Sequence, residues 1–393
     1  MSDNTFDIVI VGGGLIGMSL AAALAHSQYK ILLLEQNKAA PLHANMLDLR
    51  TTGLTRSSEK VLTEAGLWAA MQPYATPIER LDISEQGNFG SARIDAQQHQ
   101  LAPIGYMMPN DKLTSVLSNQ VAQQANLTVW SPARLSALEK LTRSYQLIID
   151  RQGEAHTITT QLLVGADGAR SKVRDLLHID YHTKDYQQSA IISNVQPQYA
   201  HNNIAYERFT GHGPLAVLPL QGNHCALIWT QPSASSQAYL DMDADQFLHA
   251  LQKAFGYRLG IFQQVGQRSA YPLTLTVSHS LTQDQAVLIG NAAQSVHPVA
   301  AQGFNLGLRD VQTLVTLLKQ AEYADLSVVL QNYPARRQQD RDHVIKLTDN
   351  LTRLFAPQSA PIKAARSFGL RMIANLPSAQ RSVLRRNFGL RYL

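Results

Sequence analysis

The hydrophobic pattern changes period several times along the 393 residues, and each change marks an element. Phe6–Val11 is a short, nearly continuous apolar run and predicts a buried strand without a solvent face. Leu15–Ala25 continues as an Ala-rich helix, and Lys30–Leu34 is a second buried strand. Asn110–Gln124 reads as a helix, while Arg134–Val164 divides into two or three strands closed by the turn Arg151-Gln-Gly-Glu. Between 181 and 285 the chain alternates like sheet, over Ala190–Val195, Ile204–Phe209, Leu215–Leu220, Ala226–Gln231 and Leu273–Val277. One helix, Ala244–Phe255, interrupts these strands. Val287–Ile289 is another buried run, and helical spacing returns from near Gly303 and over Ser327–Phe355. The order predicts an α/β (α+β) chain: a discontinuous Rossmann-like dinucleotide-binding domain (1–180 and 286–350) interleaved with an antiparallel-sheet domain (181–285), then a helical C-terminal region (351–393).

The turn between the first strand and helix carries the first chemistry. Gly12, Gly14 and Gly17 form G-x-G-x-x-G: the first for a tight turn, the second for close approach to a pyrophosphate, the third for helix–strand packing. The second strand ends at Glu35, eighteen residues past Gly17, where a carboxylate accepts hydrogen bonds from an adenosine ribose. A glycine triplet alone is weak evidence. Strand, triplet, helix, strand and terminal acid in register predict a dinucleotide.

Two later stretches are punctuated alike. Leu162-Leu-Val-Gly-Ala-Asp-Gly-Ala-Arg-Ser-Lys-Val-Arg ends a strand at Asp167, before a helix start. Val287–Asp310 breaks from a strand at Gly290-Asn291, passes His297-Pro298 and opens a helix near Gly303. Free N–H groups and a positive dipole at such a helix start suit the electron-rich edge of a flavin ring.

Together the three motifs resemble the flavin-dependent aromatic hydroxylases of the para-hydroxybenzoate hydroxylase superfamily. The likeness extends over essentially the whole chain to the ubiquinone-biosynthesis branch. It is carried by Asn291-Ala-Ala-Gln, by His297-Pro-Val-Ala-Ala-Gln-Gly-Phe-Asn-Leu-Gly-Leu-Arg-Asp and by Tyr206-Glu-Arg-Phe-Thr-Gly-His-Gly-Pro-Leu-Ala-Val-Leu-Pro-Leu. Arg268-Ser-Ala-Tyr-Pro-Leu-Thr-Leu, Arg336-Arg-Gln-Gln-Asp-Arg and Leu351-Thr-Arg-Leu-Phe-Ala match as well. Asn291 stands where the wider superfamily has Asp, as is common in this branch, and Ala301 stands where the branch usually has Gly.

The resemblance implies FAD as cofactor. It places the ADP half on the first motif, cofactor and reductant on the Asp167 motif, and the ribitol and ring on the last. It further implies Arg50 near the pyrophosphate, with Asn110 a weaker candidate there. Pro298 would lie against the flavin near C4a, and the backbone of Gly303, Phe304 and Asn305 would meet the pyrimidine edge. His297 is a candidate proton relay, equally readable as a loop-ordering residue, and no catalytic acid or base is assigned. The implied activity is an O2- and NAD(P)H-dependent monooxygenase acting on a polyprenylated phenol through a flavin C4a-hydroperoxide. The strongest likeness is to the branch acting at C4 of 2-polyprenyl-6-methoxyphenol. Another ring position, or a non-catalytic FAD protein of the biosynthetic assembly, stays open. None of Trp68, Trp130 and Trp229 lies in a halogenase-type Trp-x-Trp signature.

Composition adds compartment and surface. The chain is 45% hydrophobic and 16% charged, with one cysteine, Cys225, which suits a reducing cytoplasm and reads as a packed strand residue. No apolar run is long enough to span a bilayer, and the first strand begins too early for a signal peptide. No Cys/His spacing suggests a metal site. From Asn350 to Leu393 there are eight cations and no acid: Arg353, Lys363, Arg366, Arg371, Arg381, Arg385, Arg386 and Arg391. Against a net charge of +5 for the whole, the rest of the chain carries −3, so the basic pI of about 9.2 belongs to the tail. These cations alternate with Leu, Ile and Phe rather than with stacking aromatics. The pattern argues against nucleic acid and for amphipathic helices contacting a membrane surface or other ubiquinone-biosynthesis proteins. An ordinary solvated helical face is the competing reading.

Overall fold

The computed structural model describes residues 4–37, 45–88, 90–100, 103–296, 302–321, 326–355 and 360–387. His297, Pro298 and Ala301 lie outside the described residues.

Two large sheets organise the molecule. The first has eight strands. At its centre Thr5–Val11 pairs in parallel with Glu154–Gly165 on one side and Ile31–Leu34 on the other. Leu127–Trp130 and Ala286–Leu288 extend it, also in parallel. Strands buried on both faces must read as continuous apolar runs, and Ile31–Leu34 is buried throughout. Register aligns the carboxyl ends: Val11 faces Gly165 and Leu34, Gly165 faces Leu288, and Leu34 faces Trp130. Three antiparallel strands, Arg134–Lys140, Tyr145–Arg151 and Glu154–Gly165, fill the 134–164 stretch.

The second sheet has nine strands, with Tyr181–Pro197, His224–Pro232, Pro214–Leu220 and Ile204–Phe209 adjacent in that order. One face is sealed by the helix Ala244–Phe255, whose Phe247, Leu251 and Phe255 pack on Ile191, Leu215, Leu227 and Trp229. The Asp243–Gln246 capping box fixes where that helix begins. The other face looks toward the first sheet's domain: Asn194 Nδ2 donates to the carbonyls of Met46 and Leu49, both at 2.7 Å.

Two differences from the sequence-based expectation stand out. Residues 80–95, grouped by sequence with the first unit, form Arg80–Glu85 and Ser91–Asp95 and join the second sheet, the former parallel to Ile204–Phe209. The expected strand Ala190–Val195 runs instead from Tyr181 to Pro197, because its polar, partly exposed first half pairs with Ser269–Ser278. The helices Gln302–Ala321 and Leu326–Phe355 follow, then Ala360–Asn375 and Pro377–Asn387.

The last two helices are docked. Arg366 is buried against Glu85 at 2.5 Å, Leu384 is buried beside Ile94 and Ala205, and Gln380 meets His99 Nε2 at 2.7 Å. The eight cations of the tail are therefore not one solvated set.

Candidate functional site

The aligned carboxyl ends of the first sheet carry Gly12, Glu35, Asp167 and Gly290 to one edge. In open parallel sheets that edge, where the chain turns into helices, is where ligands bind. Gly12 has φ +108°, and a Cβ there would lie 2.4 Å from the Ala166 carbonyl. A Cβ at Gly17 would lie 1.9 Å from the Gly12 carbonyl, so helix and turn approach as only two glycines permit. Gly14 differs: no described atom lies within 4 Å of a Cβ placed on it. The space is outside the protein's own packing. Beside it, Leu15–Ala23 starts without a side-chain cap, so its first N–H groups face that space.

Glu35 sits beside this turn. One carboxylate oxygen accepts from the Gly13 N–H at 2.8 Å, the other from Asn37 N–H at 2.7 Å. Each oxygen keeps lone-pair capacity for a further donor. Asp167 is more enclosed. Its Oδ2 accepts from Val173 N–H at 3.0 Å, while Oδ1 is buried without a hydrogen-bond partner among the described residues. Burial pushes the carboxyl above its ordinary range, against the hydrogen bonds from Ser171 and Val173 that pull it down. A buried carboxylate oxygen without a donor points to one supplied by a ligand.

Arg50 and Asn110 are brought together, the Asn110 N–H donating to the Arg50 carbonyl at 2.8 Å. The exposed Arg50 guanidinium lies 5.1 Å from the Tyr271 ring of the second sheet, between the two units. The Asn110 side chain is engaged with the Thr52 hydroxyl at 2.6 Å.

On the Gly290 side, the turn has φ +58° and its N–H donates to Asp310 at 2.9 Å. Asn291 is exposed beside it. Gly303 opens its helix with no described atom within 4 Å of a Cβ, and Phe304 packs at the margin of the core. The Asn305 side chain is structural. Its Oδ1 accepts from the Thr55 N–H and the Ser58 hydroxyl, and its Nδ2 donates to the Gly53 carbonyl at 2.8 Å. These bonds clasp the helix to residues 53–58. The pyrimidine-edge expectation concerns its backbone.

Several residues that build the site have no separate mark in sequence. Gly307 lets Ile16 come close, since a Cβ there would meet Ile16 Cδ1 at 2.5 Å. Asp310 fixes the Gly290 turn and is itself held by Arg337 at 2.7 Å. Arg337 also binds Asp340, which binds Arg309, all buried. Helical spacing within Arg336-Arg-Gln-Gln-Asp-Arg sets both Arg336 and Arg337 beside Asp340, so spacing alone does not pick out the buried cation.

A Gly-marked parallel-sheet edge facing the open side of an antiparallel sheet is a setting for a dinucleotide cofactor, and likeness to known proteins makes the chain a flavoprotein of the monooxygenase class. The chain belongs to the family described as FAD binding domain, whose model matches residues 5–348. It is an FAD-dependent monooxygenase of the group that contains the ubiquinone hydroxylases. It is 32% identical to "Ubiquinone hydroxylase UbiL" of Rhodospirillum rubrum, over 99% of this chain and 90% of that protein. It is 31% identical to "3-demethoxyubiquinol 3-hydroxylase" of Escherichia coli, over 99% of this chain and 100% of that protein. Among solved structures, p-nitrophenol 4-monooxygenase PnpA of Pseudomonas putida superposes with a TM-score of 0.80 at 16% identity, over 97% of each chain. That likeness speaks for the fold.

Proposed function

We propose that the chain hydroxylates the aromatic ring of a polyprenylated phenol in ubiquinone biosynthesis, at C4 of 2-polyprenyl-6-methoxyphenol, using O2 and electrons from NAD(P)H. The observation that carries this reading is the opposition of two surfaces: a strand-end edge with room for FAD, and a partly open apolar sheet face. The ring chemistry agrees. A phenol hydroxyl activates its ortho and para carbons, and in this phenol both ortho carbons are substituted, which leaves C4. Hydroxylation at another position of a related ring is the second reading, favoured by the activity that the name of the Escherichia coli relative states.

FAD, when bound, supplies O2 activation and delivery of one oxygen atom to the ring. The chain's own residues bind and orient. Gly12, Gly14 and the uncapped helix start would take the pyrophosphate, with Arg50 and Asn110 beside it, and Glu35 the adenosine ribose. Asp167 Oδ1 would accept from a cofactor hydroxyl. Gly290, Asn291 and the backbone of Gly303, Phe304 and Asn305 would hold the ribitol and ring, joined by His297 and Pro298. The uncapped N–H groups, the open Gly14 and the donor-free Asp167 oxygen fit such a ligand.

Mass spectrometry of quinone intermediates in a strain lacking the gene tests the reading. Accumulation of the phenol unhydroxylated at C4, cleared by the wild-type chain, is the expected result. Accumulation of a ring lacking another hydroxyl selects the second reading, and an unchanged pattern defeats both.

Glu35→Ala should weaken FAD binding by about 1.5–3 kcal/mol, the range for a hydrogen bond to a charged group. The Gly13 N–H loses its partner in the same step. Flavin released on dilution measures it, and unchanged retention would confine Glu35 to holding the turn.

The substrate's polyprenyl chain resides in a bilayer. None of the described helices is long and apolar enough to cross one, and the approach we propose is a surface contact. We propose that the C-terminal helices make it. Phe368, Met372 and Leu376, spaced four apart, are exposed at 65%, 45% and 43%, beside exposed Arg371 and Arg381. Such a stripe with cations at its margin matches an anionic headgroup surface. Phe368→Ser with Met372→Ser should weaken binding to anionic vesicles about tenfold or more, with FAD content unchanged. Vesicle binding that survives the pair would show that the stripe is not the contact.

A further inference from the structure

The face of the second sheet that looks toward the cofactor domain has an unusual centre. Strand register sets Ile192, Ile228, Ala216, Glu207 and Ile83 in one row across five strands. Of these Ile192, Ile228, Glu207 and Ile83 keep partial exposure, as does Leu218 in the next row. Their neighbours on the opposite face, Ile191, Leu215, Leu227 and Trp229, are sealed under the Ala244–Phe255 helix. Ordinary packing would bury an inner sheet face as completely as the outer one. Partial exposure along this row, continued by Ser269 and Tyr271 on the neighbouring strand, marks one wall of a hollow on this face.

Glu207 is the one ionisable group in that row. Its side chain makes no hydrogen bond or ion pair with any described residue, and burial alone pushes its carboxyl up to about 7. Other charged groups on this side are paired, hydrogen-bonded, stacked on a ring or exposed. Glu85, two residues past Ile83, is paired with Arg366; Asp48 accepts from Gln267 N–H; Arg50 lies over Tyr271; Arg371 and Arg381 are exposed. None of them acts as its counter-ion. Arg208, the next residue, belongs to the other face, where Nε donates to the Ala254 carbonyl at 2.9 Å. A carboxyl kept in an apolar wall without a partner costs stability, and such groups concentrate where a ligand completes them.

We infer that Glu207 binds the hydroxyl of the phenolic substrate and takes its proton, orienting the ring and activating it for oxygen transfer. The inference rests on the hydroxylase reading and deepens it. The phenolic O–H bond breaks as a carboxyl O–H bond forms. No electrons leave either group, and the ring becomes a phenolate, richer in electrons at its para carbon. Once the new C–O bond has formed, the phenolate oxygen is a ring carbonyl. The C4–H bond then breaks, its hydrogen leaving as a proton to solvent, the ring regains aromaticity, and the proton held by Glu207 returns to the phenolic oxygen.

The pH dependence follows. The carboxylate, the form able to accept a proton, prevails above about pH 7, so phenol-dependent turnover should fall as pH drops through that value. Folding has the opposite sign. A carboxyl raised in the native state binds more protons folded than unfolded, so its stability contribution is lost as pH rises toward and past its folded pKa.

The test uses FAD-loaded protein and 2-methoxyphenol as probe, with binding read from the flavin absorbance and turnover as phenol-dependent NAD(P)H consumption. Glu207→Gln should bind the probe about 10- to 100-fold more weakly and lose the acidic limb of the kcat/KM profile. Glu207→Asp should restore part of both. Glu207→Gln should also melt higher than wild type in alkaline buffer, and that gap should close in acid, which reports on burial independently of substrate. A raised melting point with unchanged probe affinity and an intact acidic limb would overturn the inference and leave the hydroxylase reading standing. Wild-type protein that holds FAD and ignores the probe would defeat both.

Discussion

Arg337→Met should destabilise the protein by about 3–5 kcal/mol, the range for removing one partner of a buried ion pair. Burial works against the Arg337 charge, yet Asp310 and Asp340 more than offset it and raise its pKa, so the cation belongs to the fold. The methionine fills similar space, so the loss is electrostatic. Asp340 keeps Arg309, and Asp310 keeps the Gly290 N–H and the Gln294 amide, which places the effect short of collapse. The consequence reaches the site because Asp310 is the residue that sets the Gly290 turn. FAD retention should fall together with the urea midpoint. A midpoint shift worth less than about 1 kcal/mol would mean that water compensates the pair.

The same network shows where legibility in the sequence stops. Parallel strands buried on both faces are legible because no other element shortens so many apolar residues into one run, and Phe6–Val11, Ile31–Leu34 and Ala286–Leu288 are all fully or almost fully buried. The glycines at their ends are legible for a related reason. Positive φ at Gly12, and Cβ contacts under 2.5 Å at both Gly12 and Gly17, leave no alternative residue. Arg337 and Asp310 carry no such mark. A charged residue inside a helix reads as solvated, and only a partner 27 residues away turns it into core. The small strands Thr51–Thr55 and Thr76–Ile78 hide among Thr, Gly and Pro, which also describe loops. Arg80–Glu85 is hidden because its partner, Ile204–Phe209, lies across more than a hundred residues and pairs in parallel.

Asn305 and Glu207 divide the site in the same way. Both fall inside stretches that carry the family likeness, and neither one's role follows from its residue type. The Asn305 side chain is spent on Thr55, Ser58 and Gly53, whereas Glu207 stands in an apolar row without a partner among the described residues. A motif locates residues, and the burial and partners of each decide between scaffold and chemistry.

The two functions of the glycine turn can be separated in one comparison, with the largest effect expected on the cofactor. Gly14→Val should leave the apoprotein folded and make the purified protein colourless where the wild type is yellow. Gly14 has φ −71°, which any L residue adopts, and its Cβ would meet no described atom within 4 Å. Whatever the valine displaces is therefore ligand. Overfilling a contact surface costs about 1–3 kcal/mol, which at its upper end is roughly a hundredfold in FAD affinity. Gly17→Ala is the contrast, because its methyl carbon would sit 1.9 Å from the Gly12 carbonyl. That variant must move the helix off the strand, so its apoprotein should melt lower and bind FAD poorly for the same reason. Thermal melts of both apoproteins, followed by flavin titration, check the pair. If Gly14→Val melts as low as Gly17→Ala, or retains its flavin, the open space beside Gly14 is not the pyrophosphate site.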